Sequence, residues 1–146
     1  MSERKLLGLL ADANLVGHFA YLLHLLTKFG LLDIFEELSL GFANLGDLGL
    51  PADIDDRSLW NYCQQEGWLL FTENRNAIGI DSLQAVLADS WKPGDLPVIT
   101  LANKLEFEHD AEYRERVASE VAELFFGISL GDYCDGSRIY VPRLPR

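Results

Sequence analysis

The sequence is short of several things, and each shortage closes off a class of function. It has two cysteines, Cys63 and Cys134, with no second cysteine near either. That excludes the paired spacing of zinc ribbons and thiol redox sites. It points to two free thiols, in keeping with a reducing compartment. Three histidines are present, His18, His24 and His109. His18 and His24 fall six apart on one predicted helix, so they do not form an i, i+4 metal pair and are read as solvated or partly buried. Basic residues are also scarce: 12 Lys and Arg stand against 23 Asp and Glu, for a net charge of −11. Broad electrostatic capture of nucleic acid is therefore excluded, because phosphate binders present basic surface. A small basic patch, a basic partner or a metal ion stays compatible with that charge.

Long apolar runs are missing too. None approaches the ~20 residues needed to cross a bilayer, so no membrane partner is expected. Met1 to Lys5 lead into a short apolar run that ends at Asp12 rather than at a small-residue cleavage site. The run reads as a strand and the expected location is cytoplasmic. There is no P-loop and no G-x-G-x-x-G. Ser58, Ser82, Ser90 and Ser129 lack the G-x-S-x-G context of a hydrolase elbow.

What remains is a chain with 49% hydrophobic residues, enough for a core. Its 146 residues fit one domain spanning 1–146. Lys5 to Ala11 form a continuous apolar run, as expected of a strand buried on both faces. Phe19, Leu22, Leu23, Leu26 and Phe29 recur at helical spacing, and Gly30 stops that helix. Asp33 to Leu38 reads as a turn or two of helix, and Leu38 to Leu45 as a second strand. Asp53 or Asp55 caps a helix through Leu59, Trp60 and Cys63 that ends at Gly67. Trp68 to Phe71 is a strand, Ser82 to Ser90 a helix and Leu96 to Leu101 a strand. Tyr113, Val117, Val121, Leu124 and Phe125 form the core stripe of the longest helix, with Gly127 as its expected C-cap. Seven carboxylates between Glu106 and Glu123 face two arginines there, a solubility surface. Arg138 to Pro142 is expected as an edge strand because of its proline. Trp60, Trp68 and Trp91 are read as core or interface residues.

Alternating strands and helices imply an α/β domain with a central, mostly parallel sheet flanked by helices, in three layers. In such sheets ligands sit beyond the carboxyl ends of the strands. Polar residues collect there: Asp12 and Asn14, Thr72, Glu73 and Asn74, Asn103, and Asp55 and Asp56 at a helix start. Carboxylate and amide oxygens are hard ligands that suit magnesium or manganese. Arg57, Arg75 and Lys104 lie near the same rim in sequence and are candidates for phosphate contacts.

The order of these motifs resembles the PIN-like domain family of uncharacterised bacterial proteins of toxin or nuclease type. LLADANLVGHFAYLL from Leu9 resembles its opening: an apolar strand, an aspartate and a small-residue turn into a leucine-rich helix. LGLPADIDDRSLWNYCQQEGWLLFTENRN resembles the second signature, and LPVITL the third piece. The resemblance implies Mg2+ or Mn2+ and an RNA substrate. It makes Asp12 the first metal ligand, with Asn14 and Asn74 beside it. It puts Asp55 or Asp56 at the acidic helix start and Thr72 as the strand-end hydroxyl on the substrate; by their place at the rim, Glu73 joins the candidate catalytic set and Arg57 and Arg75 the candidate substrate contacts. It also implies a small antitoxin protein or a second copy as partner. The chain departs from the family where aspartates are usual, at Asn74 and Asn76, and Glu73 is one position off. Two readings follow: a metal-dependent endoribonuclease with a partly degenerate acidic site, or a non-catalytic PIN-like interaction module.

Overall fold

A computed structural model describes residues 6–73, 82–131 and 136–143. Five strands form one sheet in the order β2-β1-β3-β4-β5, and every pairing is parallel. The strands are β1 (Gly8–Ala11), β2 (Gly41–Asn44), β3 (Trp68–Glu73), β4 (Val98–Leu101) and β5 (Arg138–Val141). The expected α/β fold with helices on both sides of a parallel sheet is thus what the chain adopts.

Alternation along the strands builds the two faces, because successive side chains point to opposite sides. Leu9, Ala11, Leu69, Phe71, Ile99 and Leu101 enter one core. Leu10, Leu70 and Val98 enter the other. The first core is covered by α1 (Val16–Lys28), α2 (Leu32–Glu37), α5 (Lys104–His109) and α6 (Ala111–Ser129). The second is covered by α3 (Asp56–Glu66) and α4 (Leu83–Ser90). Helical spacing decides which side chains go inward: Phe19, Leu22, Leu25 and Leu26 of α1, and Val117, Val121, Leu124 and Phe125 of α6, are buried.

Local signals set the ends. Asp55 is the cap of α3, its carboxylate accepting from Ser58 N at 2.7 Å. Gly67 closes that helix at φ 93°, a conformation glycine adopts without a Cβ clash. Ser82 caps α4. The predicted long acidic helix is in fact two. Asp110 ends α5 and caps α6, accepting from Glu112 N at 3.0 Å. The expected stop at Gly127 does not occur: α6 runs on to Ser129, because Phe126 and Gly127 carbonyls still find the Leu130 N–H and the left-handed turn comes at Gly131.

The last crossover is unusual. From β3 to β4 and from β4 to β5 the chain steps the same way across the sheet. Yet α4 covers one face and α5–α6 the other. The β4-to-β5 connection therefore has the opposite hand to the other three, against the strong rule for such units. Its consequence is local: among the described residues no further helix covers the α4 side of β5, and Tyr140 there is exposed.

Candidate functional site

Strand order reverses between β1 and β3, since the chain goes from β1 outward to β2 and returns past it to β3. Such a reversal opens a crevice beyond the carboxyl ends of the two strands. Helices that follow the strands start at this rim and turn the positive ends of their dipoles toward it. Asp12 stands at that point. Its N–H donates to Phe71 O at 3.0 Å, which continues the β1–β3 ladder by one residue. Its backbone stays extended, so its side chain shares the face of Leu10, toward α3. It is 6% exposed, and Oδ1 accepts from Ala13 N at 2.7 Å. Burial, helped by the Asp12 charge, pushes the nearby Cys63 thiol up to about 12.

Thr72, the residue after Phe71 on β3, aligns with Asp12 on the same face and is buried. Its hydroxyl is 3.3 Å from that of Thr100, its register partner on β4. Thr100 Oγ1 accepts from Arg138 Nε at 2.9 Å, and Arg138 Nη1 donates to Gln84 Oε1 at 3.1 Å. A polar row therefore runs from the crevice to the open edge of the sheet. Thr100, Arg138 and Gln84 were not among the sequence candidates. The even-numbered spacing of Val98 and Thr100 in LPVITL was the available signal, but only the strand register shows that Thr100 meets Thr72.

The remaining candidates are held in other ways. Asp55 is exposed, and the Ser58 N–H and hydroxyl hold its carboxyl below the usual carboxylate value. Asp56 Oδ2 accepts from Leu83 N at 3.0 Å and ties the start of α3 to the start of α4. Glu73 falls on the opposite face from Thr72 and pairs with Lys104 Nζ at 3.1 Å. Asn14 is exposed in the 3-10 turn Ala13–Leu15. Arg57 pairs with Asp89 at 2.9 Å rather than reaching outward, and its guanidinium lowers the Asp89 carboxyl. Asn74 and Arg75 lie outside the described residues. His18 Nε2 is 2.8 Å from Glu108 Oε2, so that histidine serves an α1–α5 contact.

The structure thus brings Asp12 and Thr72 together on one side of the rim and sends Glu73 to the other. Among the described residues no three His, Cys, Asp or Glu side chains are gathered closely enough to hold a metal ion. What the site offers is one buried carboxylate, a pair of buried hydroxyls and a guanidinium at the end of the row. The class this defines is a three-layer parallel α/β domain with a row of buried polar side chains at its strand reversal. Compared with protein-family models, curated proteins and solved structures, the chain matches none.

Proposed function

We propose that the chain is a PIN-like domain that acts on RNA at the carboxyl rim, with Mg2+ or Mn2+ held first by Asp12. The observation that supports this most is the burial of Asp12 at the β1/β3 reversal, where the resemblance of its flanking motif puts a metal ligand. The donor set is thin but fits: magnesium commonly takes one or two carboxylates and completes its shell with water and substrate phosphate. Such an ion, when bound, supplies an activated water and neutralises phosphate charge. Asp12 would anchor it, and the Thr72 hydroxyl lines the same side. The test is cleavage of an RNA substrate by purified chain with magnesium or manganese. Asp12→Asn is expected to abolish cleavage while keeping the melting temperature, since asparagine also caps the turn. Cleavage unchanged by that substitution refutes the assignment.

A second reading, a non-catalytic PIN-like interaction module, is favoured by a different observation. Asp55, Asp56 and Glu73 are each occupied by a group of the protein itself. Such a module shows no metal-dependent cleavage and little thermal shift with magnesium. It forms a stable complex with a small protein, as an antitoxin would, or with itself.

A further inference from the structure

At the end of the molecule away from Asp12, α2 and the C-terminal half of α6 wall an apolar groove. Its cavity of about 390 Å³ is lined by Leu31, Ile34, Phe35, Ala122, Glu123 and Phe126, among others. The floor is packed: Phe35 is buried and stacks on Phe125 with ring centroids 4.8 Å apart. The walls are open, with Ile34 42% and Phe126 39% exposed. Leu38 and Leu130, each one helical turn further along, extend the apolar strip. Exposed apolar residues standing singly need no explanation. A strip along two helices beside a cavity marks a contact surface.

On α2 and the C-terminal half of α6, which wall it, the charge is of one sign, with Lys28 at the end of α1 the base nearest α2 in sequence. Glu123 lines the cavity, and Asp33, Glu36 and Glu37 are exposed on α2. Neither α2 nor α6 from Val117 to its end carries a Lys or Arg. We propose that this groove docks an amphipathic helix with basic flanks, supplied by another protein. Its apolar residues at i, i+3 or i+4 and i+7 would enter the groove, and its Lys and Arg would meet the four carboxylates. A second copy is the poorer occupant, because it brings the same carboxylates and a further net charge of −11. The inference does not rest on the RNA reading, since the groove lies at the other end of the sheet.

The experiment is a fluorescence-anisotropy titration of the full chain with a labelled synthetic amphipathic helix of leucine and lysine. A scrambled peptide of the same composition and a leucine–glutamate helix serve as controls. Saturable one-to-one binding of the leucine–lysine helix alone is expected. Phe126→Ser and Glu123→Lys, both surface changes, should each weaken it roughly tenfold. Asp12→Asn should bind as the parent does. Equal binding of the scrambled peptide, or wild-type binding by both groove variants, overturns the proposal. So does a wild-type dimer that Phe126→Ser converts to monomer, which would assign the groove to a second copy.

Discussion

Gly8 is the position where a single methyl group should cost the most. It opens β1 and stands in register between Gly41 of β2 and Trp68 of β3. A Cβ built on it would overlap the Gly41 carbonyl oxygen and lie 2.7 Å from both Gly41 C and Trp68 Cζ3. Trp68 could shift its ring, but the Gly41 carbonyl belongs to the sheet and cannot swing away without losing the pairing. Overpacking a core costs ~1–3 kcal/mol when side chains can adjust; with backbone as the obstacle, Gly8→Ala should reach about 3 kcal/mol or more. At ~2–4 °C per kcal/mol for a chain of this size, the melting temperature should fall by ~6–12 °C. Gly41 is the internal control. A Cβ there meets nothing nearer than Leu7 O at 3.8 Å and Trp68 Cη2 at 4.0 Å. Gly41→Ala should therefore be neutral or stabilise by ~0.4–1 kcal/mol through the unfolded chain. Thermal and urea unfolding of the two variants, followed by circular dichroism, gives the comparison. Equal destabilisation by both substitutions would refute the reasoning, because only the steric environment distinguishes them.

Other expectations follow from single contacts. Asp55 has its carboxyl held below the ordinary 3.8 by Ser58, so its contribution is fully present above that pH and is lost as pH falls through the lower folded value. Asp55→Asn keeps a cap without the charge; the wild-type advantage in melting temperature at pH 5 should shrink on acidification below pH 3.8. Cys63, buried with its thiol near 12, should resist a thiol reagent at pH 8 in a Cys134→Ser background and react on unfolding in urea. Rapid native-state labelling of Cys63 would contradict its placement on the buried face of α3. Phe125→Ala removes a fully buried ring that stacks on Phe35 and meets Phe42 edge-on; it should cost ~3–5 kcal/mol, read by urea unfolding.

Much of the architecture was legible because its signals are local. Asp55, Gly67 and Ser82 each act within a turn of their own position, so caps and stops could be assigned one at a time. The Asp110 break was harder to see, since its carboxylate caps α6 in the middle of a run of glutamates that reads as one helix. Likewise Gly127 looks like a stop, but a glycine ends a helix only where the backbone turns left-handed, and that turn is taken by Gly131. The candidate site depends on something less local, the register between strands. Sequence alternation alone says that Thr72 and Glu73 point to opposite sides, but not which of them faces Asp12. The pairing of Ala11 with Phe71 decides it: Asp12 aligns with Thr72, and Glu73 is left on the α5 side with Lys104 as its partner. The same register brings Thr100 to Thr72 and so links Arg138, on a strand near the end of the chain, through two hydroxyls to the strand that runs beside Asp12. Any reaction centred on Asp12 would therefore draw its groups from the α3–α4 face. Glu73→Gln should accordingly leave any Asp12-dependent cleavage intact, whereas Thr72→Val, which removes the hydroxyl and keeps the shape, should reduce it. A loss with Glu73→Gln equal to that with Asp12→Asn would show that the reacting groups are drawn from both faces, and would overturn the division of the rim that the register implies.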